Sequence, residues 1–514
     1  MQQFFKLARS VSSPAILVTS IWCAIVIGVA IGPIDYPQQP SAIVLAVITL
    51  GVLLFVSGHQ AGIWCFSVWL RHRSNFPASS AGVLHIAVAS ASLVGVAGIA
   101  LIAVDRVALS GVINGGYSEL LRCAPDLVDS IEIKRTPLIY VGYLTFSFAY
   151  AALALFLLKG EEFHGWVAYV AQLSIVSPVG YALLYSGRMP ILFMIMLIVS
   201  TGLVRIRQGR SILPRGHYLL AKMVVFLLLF GIYTNAMWSS RRNFCIQMSG
   251  VIQELQLKDR QKKSEQMRDY QQHLAEAGKS RSALIDAADL SSMIERAKPS
   301  RDAIPPTRSA AASGLLSRME ELWYARPRAY VLQAVESGRL SSDAAIDILS
   351  TYFYLTHGVR IIDTVWHARQ QLSPHWGAYE IGVLSPILRV FAPNSQWLTT
   401  MTMQLKSTQI YGFFPTVWAA AFIDFGAIGS IIYILIWGFA AGWSDFRART
   451  SELATPPLLL TFILASIFLS PIQGPLGIAN SALVLCSMVA LGMAVDLATV
   501  LSRSRRLEPG ISSA

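Results

Sequence analysis

About ten apolar runs, each long enough to cross a lipid bilayer, lie between Pro14 and Leu501 of this chain, and one long polar block separates the seventh run from the eighth. A helix needs roughly 20 mostly apolar residues to span the hydrocarbon core, and these runs meet that length with few internal charges. The pattern predicts an all-α polytopic membrane protein with about ten transmembrane helices and one large external, mainly helical insert between spans seven and eight.

The predicted spans cover residues 14–32, 42–69, 82–104, 137–157, 164–185, 189–204, 217–237, 413–443, 456–471 and 476–500. They divide the chain into a first transmembrane bundle (1–237), an insert (238–410) and a second transmembrane part with a C-terminal tail (411–514). Within the insert, residues 251–319 are polar and predict solvated helices, whereas residues 322–397 mix aromatic and apolar residues with His, Asp and Arg. The second half of the insert therefore has the composition to pack on a membrane domain and to carry chemistry.

The composition supports a membrane protein. Hydrophobic residues make up 54% of the chain and charged residues only 14%, a balance that is unusual for a water-soluble globule. The net charge of +12 is typical of a membrane protein whose loops face acidic lipid headgroups. We therefore expect this protein to contact membrane lipids and not nucleic acid. The five scattered cysteines form no CxxC pair, and they indicate neither a disulfide framework nor a metal site.

Basic residues follow every second predicted span, as the positive-inside rule requires. The segments that this alternation places in the cytoplasm carry Arg71, Arg73, Lys159, Arg205, Arg207, Arg210, Arg215, Arg447, Arg449, Arg503, Arg505 and Arg506. Both termini are then cytoplasmic, and in a diderm bacterium the insert lies on the periplasmic side of the inner membrane. One external loop departs from the rule because it carries Arg106, Arg122, Lys134 and Arg135.

Several common catalytic motifs are missing from the sequence. It contains no GxxxxGK[ST] loop, no HExxH pair and no GxSxG elbow. ATP-driven transport, zinc-dependent hydrolysis and serine hydrolysis therefore have no support. We expect neither a metal nor a cofactor.

Arginines mark the external ends of two predicted spans. Arg188 lies in the short YSGRMP connection between spans five and six, where its planar five-donor group suits a lipid-linked pyrophosphate. An ordinary snorkelling anchor is the alternative. Arg241 and Arg242 follow Trp238 at the same end of span seven, where they would bind a second phosphate or lipid headgroups.

The insert carries an H-x-x-R-x-x-D pattern, formed by His357, Arg360 and Asp363. In a helix this spacing places all three on one face. A histidine or carboxylate beside an arginine is a plausible general base for a sugar hydroxyl, and a surface salt bridge with a solvated histidine is the alternative.

Two acids complete the candidate residues. Asp424 lies in FIDFGAIG, inside or at the rim of span eight, where an acid must be paired or face a wet cavity, so a functional role is expected. Glu380 in GAYEIG has no such argument and is compatible with a loop surface. Gly438 and Gly442, spaced as GxxxG in the same span, predict close helix packing.

The order of these elements resembles the O-antigen polymerase, or oligosaccharide repeat-unit polymerase, family (Wzy-type). SGR at 186–188 occupies the place of a [SG]-G-R motif in that family, and DFGAIG at 424–429 occupies the place of its D/N-F-G-x-x-G run. The resemblance covers roughly spans five to eight. The polar stretch 251–319 departs from it and indicates either a site for a chain-length regulator or a solvated insertion.

The resemblance implies a metal-independent glycosyltransferase that joins undecaprenyl-pyrophosphate-linked repeat units of a polysaccharide at the periplasmic face. Arg188 would then stabilise the departing pyrophosphate, supported by Arg241, Arg242 and Arg360. His357, Asp363 and Asp424 compete for the role of base. Substrate-binding side chains would further include Tyr354, Trp366 and Glu380.

Three other functions stay open. An O-antigen ligase would pass finished glycan to a lipid acceptor, and the sequence separates it poorly from a polymerase. A flippase or secondary transporter for lipid-linked sugars should show ionisable residues or broken helices near the bilayer midplane. A membrane scaffold without enzymatic activity would use the insert to recruit partners.

Overall fold

The computed structural model describes residues 12–36, 40–69, 81–109, 136–185, 187–214, 219–247, 319, 325–382, 384, 396–408, 410, 415–477 and 480–507. About 79% of the structure is helical, and the described strands are two residues long each. This confirms the predicted all-α polytopic membrane fold. Residues 251–319, the polar half of the predicted insert, lie outside the described part of the chain except for Met319.

The described helices, numbered in chain order, are α1 (Pro14–Ile31), α2 (Ala42–Trp69), α3 (Ala81–Ala103), α4 (Pro137–Phe146), α5 (Phe148–Leu158), α6 (Trp166–Leu173), α7 (Val176–Leu184), α8 (Met189–Arg207), α9 (Leu219–Gln247), α10 (Ala329–Glu336), α11 (Ser342–His367), α12 (Gln396–Ser407), α13 (Val417–Thr450), α14 (Thr455–Leu469) and α15 (Ser481–Leu507). Among the described residues, eight segments are long and apolar enough to cross a membrane. Two shorter apolar helices, Ala221–Thr234 within α9 and the whole of α14, occupy the places of predicted spans seven and nine.

Buried serines join two spans to neighbouring helices. Ser147 lies between α4 and α5 with a helical backbone conformation, and its hydroxyl lies 2.6 Å from the hydroxyl of Ser487 in α15. Ser174 follows α6, also with helical backbone angles, and its hydroxyl donates to Ser92 in α3 at 2.9 Å. These contacts satisfy polar groups that lipid could not.

The most extensive helix contact joins α2 to α13, and glycines make it possible. A Cβ atom at Gly442 would lie 2.0 Å from the carbonyl oxygen of His59, and one at Gly438 would lie 2.3 Å from that of Phe55. From the other side, a Cβ atom at Gly58 would lie 2.4 Å from the carbonyl oxygen of Leu435. The predicted close packing at Gly438 and Gly442 is confirmed, and α2 supplies the partner stripe.

Helix α13 is broken near its start. Gly426 has φ 65° and ψ −169°, a conformation that only glycine adopts readily. The break leaves a short arm, residues 417–425, which is mostly buried. Within this arm the Trp418 ring packs on Trp22 of α1, with centroids 5.3 Å apart.

The described part of the insert packs on one end of the helical bundle, which we call the insert end. Strand β1 (Ile34–Asp35) pairs antiparallel with β2 (Arg326–Pro327), and the Arg328 guanidinium donates to the carbonyl of Ala30 at 2.5 Å. Helix α11 then contacts α1, α2 and α13. Helices from both transmembrane parts therefore meet beneath α11.

Tyr352 of α11 lies against Gly32 at the end of α1, and the fit leaves no room for a side chain. A Cβ atom at Gly32 would lie 1.8 Å from the Tyr352 hydroxyl oxygen. Gly32→Ala is therefore expected to displace the ring and to lower the free energy of unfolding by about 1–3 kcal/mol. Thermal melting of the purified protein in detergent measures this.

Gly82→Ala is the matched control, because nothing lies within 4 Å of a Cβ atom there. The double variant Gly32→Ala/Tyr352→Ala should lose less stability than the sum of the two single losses, since the clash with the Tyr352 ring is gone and only the Gly28 carbonyl oxygen, 2.6 Å from the Cβ atom, remains close. Equal melting of the Gly32→Ala and Gly82→Ala proteins would contradict the tight contact.

At the opposite end of the bundle, two arginines that were counted as loop charges are buried inside helix α8. Arg205 is 0% exposed and pairs with Glu161, and Arg207 is 8% exposed and pairs with Asp445 of α13. Their charges are balanced by acids within the fold. The predicted orientation of the chain in the membrane therefore depends on the remaining basic residues.

Candidate functional site

Arg188 lies in the short connection between α7 and α8 at the insert end. The backbone N–H of Gly187 bonds to the carbonyl of Ala182 at 2.9 Å and closes the end of α7, and Arg188 is the N-cap of α8. Its side chain is partly exposed, and its guanidinium carbon lies 6.0 Å from the centroid of the Tyr354 ring. This cation–π contact brings two predicted site residues together across the bundle and the insert.

His357 joins this pair from the next turn of α11. Its Nδ1 donates to the Phe353 carbonyl at 2.8 Å, and because a carbonyl only accepts, Nε2 carries the lone pair when the imidazole is neutral. The ring is 3% exposed, stacks on Phe353 with centroids 4.7 Å apart, and meets Tyr354 at 6.2 Å. We call Arg188, Tyr354 and His357 the Arg188 cluster.

Arg360 lies one turn further along α11 and is partly exposed. Its charge acts on Tyr36, whose hydroxyl lies 2.8 Å from the Thr356 hydroxyl. Burial raises the pKa of Tyr36, and the positive charge of Arg360 opposes that rise. Arg360 therefore faces the segment between α1 and α2.

Asp363 makes a contact that favours an anchoring role over that of a base. Its Oδ1 accepts the Ser41 hydroxyl at 2.8 Å, and the Ser41 oxygen accepts the backbone N–H of Val44 at 3.3 Å at the start of α2. His367 adds an ion pair when protonated, with its Nδ1 3.5 Å from Oδ1. The carboxylate thus joins α11 to the N-terminus of α2.

Trp366 packs between two elements of the insert end. Its ring lies 6.2 Å from that of Phe422 in the short arm of α13. The Arg369 guanidinium covers it at 5.0 Å. Trp366 thus contributes to packing at some distance along α11 from the Arg188 cluster.

Asp424 is fully buried just before the break of α13 and holds a turn of the insert. Its two carboxylate oxygens accept the backbone N–H groups of Tyr379 and Glu380 at 2.9 and 2.7 Å. Its carbonyl accepts the N–H of Trp376 at 2.8 Å. We call residues 375–382 the Asp424 turn. With both oxygens bonded to backbone, the geometry of Asp424 favours a structural role over that of a base.

Glu380 is the buried acid of the Asp424 turn, with 2% of its surface exposed. Its Oε1 accepts the Tyr433 hydroxyl at 2.7 Å and the Leu476 N–H at 3.1 Å. Within the described residues its Oε2 has no hydrogen-bond partner. Burial raises the pKa of Glu380 to about 7, and the Asp424 carboxylate adds to the rise. A glutamate that the sequence left as loop surface therefore titrates near neutral pH inside the protein.

Glu380→Gln is expected to remove a pH dependence of stability. The pKa of Glu380 is raised from 4.5 to about 7 on folding, so the folded state binds the proton more tightly. The free energy of unfolding then falls as the pH rises from 4.5 to 7, by about 3 kcal/mol, and is level above. The amide keeps an acceptor oxygen for Tyr433 and Leu476 without the charge. In thermal melting, the variant should exceed the wild type at pH 8 and match it near pH 4.

The control is Glu336→Gln, which removes an exposed charge at the end of α10. Its melting temperature should follow that of the wild type at every pH. Parallel curves for the wild type and Glu380→Gln would contradict the buried acid.

His375 belongs to the same turn, and no motif or hydropathy pattern singled it out. It is 1% exposed, neither ring nitrogen has a hydrogen-bond partner within the described residues, and burial lowers the pKa of its imidazole. Its neighbours Pro374 and Gly377 are ordinary turn signals. Hydropathy does not distinguish such a buried histidine from a solvated one.

Arg106 is the other residue that sequence reasoning missed. Expected in an external loop, it lies in the π-helical turn Val104–Leu109 that ends α3, and it is 7% exposed. Its Nε donates to the Tyr185 hydroxyl at 3.0 Å. Tyr185 is the C-cap of α7, three residues before Arg188. The available signal was its charge, since the predicted orientation places this arginine on the external side, against the positive-inside rule.

The remaining predicted residues, Arg241 and Arg242, lie in the last turns of α9, and their side chains are outside the described part of the chain. Over the described ranges, no three His, Cys, Asp or Glu side chains are grouped so that they could hold a metal ion.

No family model, no curated protein and no solved structure matches this chain. A partly exposed guanidinium on an aromatic ring suits an anion that carries an apolar or sugar group. A buried imidazole with a fixed tautomer beside it suits proton transfer.

Proposed function

We propose that this chain is a polysaccharide polymerase of a bacterial inner membrane, which joins undecaprenyl-pyrophosphate-linked oligosaccharide repeat units at the periplasmic face. The observation that carries the proposal is the Arg188 cluster. Arg188 lies at the end of a membrane bundle and over Tyr354 of an insert helix, and the Tyr354 ring in turn meets the buried His357. A lipid-linked pyrophosphate presents its charge at this depth, while its lipid chain remains among the helices.

In this proposal, a hydroxyl of one repeat unit attacks the anomeric carbon of the other glycan, and the bond from that carbon to the pyrophosphate oxygen breaks. Arg188 stabilises the negative charge that develops on the departing pyrophosphate. Nε2 of His357 accepts the proton of the attacking hydroxyl, because Nδ1 is held in the bond to Phe353. The ring is 3% exposed, so this step requires the substrate to displace the side chains that cover it. The products are the extended glycan on its lipid and free undecaprenyl pyrophosphate.

A strain that lacks this protein tests the proposal. Surface glycans and extracted lipid-linked intermediates are separated on gels, with and without the wild-type protein restored. If the protein is a polymerase, its deletion should reduce the polymer to a single repeat unit. Long chains that stay on the lipid carrier would instead identify a ligase. Unchanged glycans in every strain would overturn both readings.

A flippase for lipid-linked sugars is a second candidate, because one span is broken. Helix α13 has a non-helical residue, Gly426, near its start. Broken helices are common at transporter binding sites. The flippase and the polymerase can be distinguished in inner-membrane vesicles from the deletion strain. If the protein is a flippase, lipid-linked repeats should accumulate on the cytoplasmic leaflet. If it is a polymerase, single repeats should be found on the periplasmic leaflet.

A further inference from the structure

Arg106 lies behind the connection that carries Arg188, and a chain of contacts joins the two. The Arg106 Nε donates to the Tyr185 hydroxyl at 3.0 Å, and the guanidinium carbon lies 5.5 Å from the centroid of the same ring. The Tyr143 hydroxyl lies 2.5 Å from the Tyr185 hydroxyl. Tyr185 ends α7, so its position fixes where the chain starts toward Arg188.

The aromatic side of this group is equally constrained. The rings of Tyr181 and Tyr185 are 4.7 Å apart, and the Tyr181 hydroxyl accepts the side-chain amide of Asn480 at 3.1 Å. Tyr181 in turn stacks on Phe146 with centroids 5.0 Å apart. The end of α7 is therefore held by helices α3 and α4 and by the residue that precedes α15.

Arg106 is poorly placed to bind a ligand itself. It is 7% exposed, its ring partner Tyr185 covers it, and the Asp105 carboxylate lies 3.9 Å from its Nε. A π-helical turn at the end of α3 presents it toward the bundle, and such turns often occur at functional sites. The geometry suits an arginine that orders its neighbours.

We propose that Arg106 is a positioning residue, which acts through Tyr185 to hold the α7–α8 connection so that Arg188 faces Tyr354 and binds the pyrophosphate of the lipid-linked substrate. The inference rests on the proposed function, since it takes Arg188 as the pyrophosphate ligand. The proposal gives a role to the buried Arg106, which takes no direct part in the proposed reaction. It also predicts that the roles of Arg106 and Arg188 are not independent.

The test measures binding of farnesyl pyrophosphate to the purified full-length protein by titration calorimetry, with farnesol as the uncharged comparison. Arg188→Ala should weaken pyrophosphate binding by at least about tenfold. Tyr185→Phe and Arg106→Gln should each weaken it by about three- to tenfold, as expected when one positioning hydrogen bond is lost. Arg106→Lys, which retains a donor and the charge, should recover part of the affinity. Farnesol binding should not change.

The decisive comparison is made in the Arg188→Ala background, where Tyr185→Phe should cause no further loss. A further loss there, or wild-type affinity in Tyr185→Phe, overturns the positioning role. Tyr169→Phe, on an exposed face of α6, is the control for removal of a hydroxyl. If Arg106→Gln does not fold, Tyr185→Phe alone decides the question.

Failure of the two proposals can be told apart. Wild-type affinity in Arg188→Ala overturns the pyrophosphate site and the positioning role with it. A tenfold loss in Arg188→Ala combined with wild-type binding in Tyr185→Phe leaves the proposed function standing and removes only the role of Arg106.

Discussion

Arg188→Ala is expected to lower the rate of repeat-unit joining by about a hundredfold or more, the usual effect of removing one donor that stabilises developing negative charge. The guanidinium lies against Tyr354, at the end of the bundle where the proposed function places the pyrophosphate. The measurement is the rate at which purified protein in proteoliposomes converts a synthetic lipid-linked repeat unit into dimers. Arg188→Lys should restore part of the rate, since it keeps the charge but loses the planar pair of donors.

Arg369→Ala is the matched control for this experiment. Arg369 also covers an aromatic ring, that of Trp366, at 5.0 Å, and it lies just after the end of α11. It is exposed and has no place in the Arg188 cluster. If Arg188→Ala and Arg369→Ala lower the rate of repeat-unit joining equally, any cation at this surface supports the reaction. Arg188 would then have no specific role.

Gly442→Leu is expected to disrupt the contact between α2 and α13 and to lower the free energy of unfolding by about 3 kcal/mol. A Cβ atom at this position would lie 2.0 Å from the His59 carbonyl oxygen. That oxygen belongs to backbone and cannot rotate away, so the two helices must separate. Gly442→Ala should have a smaller effect in the same direction. Detergent-solubilised protein can be assayed by thermal melting and by the fraction that elutes as a monodisperse peak.

Gly231→Leu is the control for this change. Gly231 is exposed in the apolar part of α9, and nothing lies within 4 Å of a Cβ atom there. The added leucine should be tolerated, because it faces lipid and favours helix. If Gly442→Leu melts at the temperature of Gly231→Leu, the close approach of α2 and α13 is wrong.

The spans could be predicted from the sequence because the bilayer imposes one length and one chemistry on every helix that crosses it. The glycine spacing in α13 likewise predicted close packing. Which helix packs on these glycines could not be predicted. Gly58 and Gly62 lie far away in the sequence, and only the folded bundle brings them beside Gly438 and Gly442.

The candidate site was harder to predict, since the role of a buried polar group depends on what it contacts. Asp424 was selected as a base from the rarity of charges in apolar sequence, and Asp363 from its helical spacing to Arg360 and His357. In the structure their oxygens bond to backbone N–H groups of a distant turn and to the Ser41 hydroxyl. Glu380 had no local signal, and its burial depends on contacts with Tyr433 and Leu476.

The contact between Trp22 and Ser470 joins residues 448 positions apart, and α2 meets its partner stripe only in α13. A ribosome adds about 5–20 residues per second, so the early helices wait in the membrane for many seconds before α13 and α14 are made. During that interval Gly58 and Gly62 of α2 have no packing partner and face lipid or other proteins. Nascent chains of this protein should therefore depend on membrane chaperones, and chains truncated before α13 should be recognised and degraded.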